Sequence, residues 1–263
     1  MEITEFLENL PSIQSGWVWL AGSGPGDPGL VTAQLLVGLT TADVVVHDAL
    51  VSDDILRLVP TNTKIHYAGK RGGKPSVQQS DITEALIDYA QRGFKVLRLK
   101  GGDPMMFGRG AEEAEALVKS GIPFRILPGV SSGLAAPSYA GIPLTHRALS
   151  SSVSFITGHG ASGNVPNMHW KALAQGADTL VFFMAMKHIG QIQENLLTAG
   201  LPKDQPVGII SHGTLAKQQV RIGTLENLVE LAQELKPPAI VVVGKSVSLA
   251  HELNWLQNEA ENA

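Results

Sequence analysis

The sequence of 263 residues contains no cysteine. That excludes disulfides, thiolate zinc sites and cysteine nucleophiles, and it fits a reducing cytoplasm. A strong charge of either sign is also missing. The formal net charge is −4, so nothing draws the whole protein to nucleic acid or to an anionic membrane, and an anionic ligand would need a local basic cluster. No apolar run approaches the ~20 residues of a membrane span. The first residues carry Glu2, Glu5 and Glu8 where a secretion signal would be basic. No two of the 8 histidines stand at a metal-ligand spacing. The expectation is a soluble, cytoplasmic protein with no metal, no nucleic-acid partner and no membrane partner.

What is present is a globular composition, 44% hydrophobic and 17% charged, on a chain long enough for about two domains. Short β-branched runs alternate with amphipathic stretches, the pattern of a largely parallel sheet covered by helices. Strands are predicted near Trp17–Ala21, Asp43–His47, Lys64–Ala68, Phe94–Lys100 and Phe124–Leu127, with helices between them and a further helix from Ser131 to Ala140. The rhythm breaks over Gly141–Ser152 and resumes with strands at Ser154–Thr157, Thr179–Met184, Val207–Ser211, Val220–Ile222 and Ala239–Gly244. A last helix is predicted over Val247–Asn258. The reading is a loosely held extension over residues 1–15, an N-terminal α/β domain over 16–140, a connection over 141–152 and a C-terminal α/β domain over 153–263.

In open α/β sheets ligands bind beyond the carboxyl ends of the strands, so those loops carry the functional signal. The first, Gly22-Ser23-Gly24-Pro25-Gly26-Asp27-Pro28, approximates a dinucleotide fingerprint, but Asp27 stands where the third glycine belongs. There is no phosphate loop of the G-x-x-x-x-G-K type either, so NAD and nucleoside triphosphates are rejected. The loop Gly101-Gly102-Asp103-Pro104-Met105-Met106-Phe107-Gly108-Arg109-Gly110 is stronger. Its glycines let the backbone approach a ligand, and Asp103 offers an acceptor for hydroxyls or an amine. Arg109 precedes Glu112 and Glu113, and the plain reading of Glu113 is electrostatic support of a helix N-terminus. Asp48 follows the second strand directly. Lys70 and Arg71 open a basic cluster after the third. Ser131 and Ser132 follow Pro128-Gly129, where helix capping and ligand binding explain them equally well. Arg147, His159, Met184, Gly213 and Thr214 complete the ring. His47 and His66 read as core or edge histidines, and His169, His188 and His251 as surface residues.

Taken in order, these segments resemble the tetrapyrrole methylase family, most closely its uroporphyrinogen-III C-methyltransferases. The likeness runs through Gly22–Gly29, Val44–Val51, Gly69–Arg71, Leu97–Pro104, Phe107–Glu113, Pro128–Ser132, Ala140–Arg147, Phe155–His159, Gly213-Thr214 with Gln218, and Pro238–Gly244. It covers roughly residues 16–257. His47 departs from a common tyrosine, and Ser131-Ser132 from a frequent leading threonine.

The resemblance implies two α/β domains with mostly parallel sheets, an active-site cleft between them, and a homodimer. It implies S-adenosylmethionine as cofactor, S-adenosylhomocysteine as product, and methylation of uroporphyrinogen III at carbons 2 and 7. Precorrin-1 and then precorrin-2 would result, for sirohaem or cobalamin synthesis. By the same resemblance Pro25, Gly101, Gly102, Asp103, Met106, Ser131, Ser132, Met184, Gly213, Thr214 and Ala239 line the cofactor site. Lys70, Arg71, Arg147 and His159, with Arg109, suit a polycarboxylate substrate. Asp48, Arg109 and Glu112 form the catalytic set, with Asp48 or Glu112 as the proton acceptor. The rival readings are a later cobalamin methylase, diphthine synthase, or a binding module without catalysis. No region for a fused dehydrogenase or chelatase is expected.

Overall fold

The computed structural model describes residues 2–69, 79–160 and 163–256. The chain divides into two compact units, Met1–Ser131 and Ser132–Ala263. No helix among the described residues is long and apolar enough to cross a membrane.

The first unit runs α1 (Ile3–Glu8), β1 (Val18–Gly22), α2 (Ala33–Thr41), β2 (Val44–His47), α3 (Asp53–Leu56), β3 (Lys64–Tyr67), α4 (Gln79–Gln91), β4 (Val96–Lys100), α5 (Gly110–Lys119) and β5 (Phe124–Leu127). Its five strands lie in the order β3-β2-β4-β1-β5, every neighbouring pair parallel. Parallel sheets bury both faces, which is why β1 and β4 are buried at every position. Alternation sorts the side chains. Trp19, Ala21, Leu97, Leu99 and Val45 pack with Leu35 and Leu39 of α2. Val18, Leu20, Val44, Val46 and Val96 pack with Leu86 of α4 and Leu117 of α5. Helix α2 starts where the Thr32 hydroxyl accepts the Leu35 N–H at 3.2 Å.

The N-terminal segment is held more firmly than an extension would be. Residues 3–8 form a helix, and Ile13 joins the core beside Trp19. Ser15 Oγ donates to the Gly93 carbonyl at 2.6 Å. A buried isoleucine with a hydrogen bond two residues on anchors the chain before β1 begins.

The second unit runs α6 (Ser132–Tyr139), β6 (Val153–Thr157), α7 (Trp170–Gly176), β7 (Thr179–Phe183), α8 (Ile189–Thr198), β8 (Pro206–Ser211), β9 (Gln219–Thr224), α9 (Leu228–Ala232) and β10 (Ala239–Gly244). Helix α6 belongs here, with Gly133 pressed so close to Phe183 that a Cβ would stand 2.4 Å from the ring. The strand order is β6-β7-β10-β8-β9. This sheet departs from the parallel expectation: only β6 and β7 are parallel, and β10 runs against both β7 and β8, as β8 does against β9. A short turn joins β8 to β9, whereas a parallel pair needs a crossover of about a dozen residues or more. The predicted last helix, Val247–Asn258, is corrected over its first part, and its last two residues lie outside the described residues. Residues Lys245–His251 form a 3-10 helix that begins directly at the end of β10.

Candidate active site

Strands β1 and β4 are neighbours whose chains head for opposite edges of the sheet, toward β2 and β5 respectively. Their loops must pass one another at the carboxyl end. They do so as a clamp: Gly24 N–H donates to the Gly102 carbonyl at 3.1 Å, and Gly102 N–H returns a bond to Gly24 at 2.7 Å. The third strand end joins them. A Cβ on Gly129 would lie 2.4 Å from the Gly102 oxygen and 2.7 Å from Gly22 Cα. Much of the glycine content here therefore serves backbone packed against backbone, in addition to any approach by a ligand.

Asp103 serves the same architecture. Its Oδ1 accepts the Met105 N–H at 2.8 Å and its Oδ2 accepts the Gly129 N–H at 3.0 Å. Each carboxylate oxygen can take a further bond, so the side chain ties two strand ends together and still presents acceptor capacity. Gly101 is half-buried and Pro25 borders the clamp, also half-buried. Gly101 packs on Leu50, where a Cβ would come within 2.7 Å. Met106 is half-buried on the turn that follows.

Beyond it, Arg109 takes a left-handed backbone, φ 58°, at the start of α5. Its Nε donates to Glu112 Oε1 at 3.0 Å. Both side chains are about half exposed. The hydrogen bond from Arg109 holds the Glu112 carboxyl below the ordinary carboxylate value and raises the guanidinium. Asp48, by contrast, is half-buried. Its Oδ1 accepts the Leu50 N–H at 3.0 Å, and its Oδ2 lies 3.6 Å from Nη2 of Arg98.

Arg98 introduces a group that the sequence reading passes over. Arg98, Lys100 and Glu113 are all buried, Glu113 at 0% exposure. One oxygen, Glu113 Oε1, accepts from Arg98 Nε at 3.1 Å, Lys100 Nζ at 2.9 Å and Gln79 Nε2 at 2.8 Å. Burial works against the charged carboxylate, but the two cations outweigh it and hold Glu113 below its ordinary value. Burial, with Arg98 beside it, pushes the Lys100 ammonium below its own. Glu113 is thus a buried counter-ion, not a helix-terminus ornament. The signal was available: two cations at alternate positions of a strand whose neighbours are all apolar.

In the second unit the candidates gather at one end of the strands, and the antiparallel β10 explains how. Thr157 pairs with Phe183, Phe183 with Ile240, and Ala239 with Ser211. The start of β10 therefore lies with the ends of β6, β7 and β8, which brings Ala239 beside residues that follow strands. Met184 and Thr214 both hold left-handed backbone, φ 55° and 70°, as do their neighbours in kind Phe107 and Arg109 in the first unit. Strained conformations of this sort concentrate at functional sites. Thr214 N–H donates to Gln218 Oε1 at 2.7 Å, and Gln218 Nε2 donates to the Tyr139 carbonyl at 3.1 Å. That chain fixes the loop to the end of α6. Gly213 packs on Ala136, where a Cβ would meet another at 2.4 Å. Ser131 is buried and Ser132 opens α6.

His159 stacks on His188, with centroids 5.6 Å apart. His188 is therefore half-buried and paired, where a surface residue was expected. Arg147 stands exposed in the tight turn that pairs His146 with Ser150, and among the described residues no hydrogen bond or ion pair ties it to another candidate. Lys70 and Arg71 lie outside the described residues. Among the described residues no group of three or more metal-ligating side chains occurs.

The family model for tetrapyrrole (corrin/porphyrin) methylases matches residues 18–229. The chain belongs to that family. It is 48% identical over 257 residues to a uroporphyrinogen-III C-methyltransferase of a Sinorhizobium species, covering 97% of this chain and 92% of the relative. It is 45% identical to the siroheme synthase of Escherichia coli strain K12, over 98% of this chain but only 56% of that protein. The fold matches a crystal structure of uroporphyrin-III C-methyl transferase from Thermus thermophilus complexed with S-adenyl homocysteine. That match has a TM-score of 0.78 and 34% identity, over 88% of this chain and 99% of the other.

Proposed function

We propose that this tetrapyrrole methylase transfers methyl groups from S-adenosylmethionine to carbons 2 and 7 of uroporphyrinogen III, giving precorrin-1 and then precorrin-2. The observation that carries the proposal is the 48% identity, across nearly the whole of both chains, to a uroporphyrinogen-III C-methyltransferase. The chain spans about 56% of the siroheme synthases it matches, and the methylation step is the part proposed for it.

The strand-end loops suit the cofactor chemically. S-adenosylmethionine brings an activated methyl on a sulfonium and carries an amine, a carboxylate and an adenosine, with no phosphate. The loops offer backbone groups, the acceptor Asp103 and the thioethers Met106 and Met184, without a phosphate-binding signature. Pro25, Gly101, Gly102, Ser131, Ser132, Gly213, Thr214 and Ala239 complete the proposed binding set. The neutral groups leave room for a cation, and Ser131 and Ser132 suit the carboxylate.

The substrate's acetate and propionate arms require cations. Arg109 presents its guanidinium at the surface, Arg147 is exposed, and His159 completes the described part of the set, with Lys70 and Arg71 as further candidates. Alignment of donor and acceptor supplies about 7–11 kcal/mol of the barrier in such reactions. The methylated macrocycle must then lose a proton. Between the two candidate acceptors we assign Asp48. Among the described residues Asp48 has no hydrogen-bonded cation, the nearest being Arg98 at 3.6 Å, whereas the Glu112 carboxylate is taken up by the Arg109 guanidinium at 3.0 Å. A cytoplasmic homodimer is part of the same reading.

The test is to incubate purified protein with S-adenosylmethionine and enzymatically generated uroporphyrinogen III, and to follow absorbance and product mass. A gain of one and then two methyl groups is expected. No gain overturns the substrate assignment.

A further inference from the structure

We infer that Arg98 is a positioning residue for Asp48, clamped from behind by Glu113; this rests on the assignment of Asp48 as the proton acceptor. Three observations carry it. Arg98 is 2% exposed, far too buried to meet the substrate itself. Its guanidinium is pinned on two sides: Nε donates to Glu113 Oε1 at 3.1 Å, and Nη1 donates to the Leu99 carbonyl at 3.0 Å and toward Val46 at 3.4 Å. A guanidinium is planar, so fixing Nε and Nη1 fixes the direction of Nη2. That remaining nitrogen faces Asp48 Oδ2 at 3.6 Å.

Asp48 is thereby held at both oxygens, Oδ1 by the Leu50 N–H and Oδ2 by the field of a cation it does not tightly bond. The spacing matters chemically. An ion pair without a close hydrogen bond orients the carboxylate and keeps a lone pair open for a proton. The remaining charge is balanced within β4 and α5, because Lys100 and Glu113 offset each other at 2.9 Å. Glu113 is rooted in α5, the helix whose first turn carries Arg109 and Glu112. Through Arg98, the same helix that presents the surface arginine sets the orientation of the base just after β2.

The test is a double-mutant cycle on the full chain, read as kcat and KM with S-adenosylmethionine and uroporphyrinogen III. Asp48→Asn alone must lower kcat; full activity in that variant removes the base assignment and the inference with it, before Arg98 is touched. Arg98→Met is expected to lower kcat by about 100-fold, the scale of a misplaced reacting group, with KM for S-adenosylmethionine unchanged. In the Asp48→Asn background the same change is expected to lower kcat no further. Arg98→Lys keeps the buried charge and protects folding while losing the planar fork. It should recover part of the activity and show the same non-additivity. If either Arg98 substitution lowers kcat by an equal factor with and without Asp48, the residue acts only through the fold and the inference is overturned.

Discussion

Replacing Glu113 by alanine tests the buried charge cluster most severely. The substitution removes the one oxygen that accepts from Arg98, Lys100 and Gln79, at 3.1, 2.9 and 2.8 Å. Two cations would then share a dry site with Asp48, 3.6 Å from Arg98, as their nearest opposing charge. Breaking a buried pair on one side costs about 3–5 kcal/mol. Burial and Arg98 already push Lys100 below its ordinary value, so it can shed its proton and relieve part of the strain. The lower end, about 3 kcal/mol, is therefore expected near neutral pH. At roughly 2–4 °C per kcal/mol for a domain of 150–250 residues, and more for a smaller one, the first unit (Met1–Ser131) should lose at least about 6–12 °C in melting temperature. The deficit should shrink as pH rises and Lys100 becomes neutral. Differential scanning calorimetry across pH reads both quantities. A loss below about 1 kcal/mol, typical of an exposed pair, would refute the picture of an ionised, buried carboxylate.

Gly129→Ala places a methyl 2.4 Å from the Gly102 oxygen; overpacking of this kind costs about 1–3 kcal/mol. Denaturant titration should show that loss, with weaker S-adenosylhomocysteine binding by calorimetry; unchanged stability would mean the clamp yields freely. The lowered Glu113 carboxyl contributes stability that is complete above its ordinary unfolded value and is lost as pH falls through the folded one. Glu113→Gln should flatten that acid slope, and an unaltered slope would assign it to other carboxylates. Arg109→Ala removes an exposed pair worth about 0–1 kcal/mol. It should leave melting and cofactor binding nearly intact while abolishing turnover, and near-normal activity would remove Arg109 from the site.

The first unit was legible because most of its strands are short, largely apolar runs bounded by turn residues, and the burial of β1 and β4 on both faces matches that pattern. Direction in the second sheet was not, since Ala239–Gly244 reads equally well as a parallel or an antiparallel strand. The short link between β8 and β9 carried a clue to the hairpin. The loops after the strands announced a site, but composition alone could not separate glycines that admit a ligand from glycines that admit each other. Gly22, Gly102 and Gly129 meet at backbone distances that only coordinates reveal. Arg98 escaped notice, and Glu113 read as support for a helix start, because a buried charge looks, in one dimension, like any surface residue. His188 needed a fold to bring it against His159 across the distance between β6 and α8.

Where the methyl groups go decides the activity. S-adenosylmethionine labelled with carbon-13 at its methyl should, after incubation with this protein and uroporphyrinogen III, give a product whose NMR spectrum shows labelled methyls on carbons 2 and 7 of the macrocycle. Label on any other carbon, or none on the tetrapyrrole at all, would contradict it.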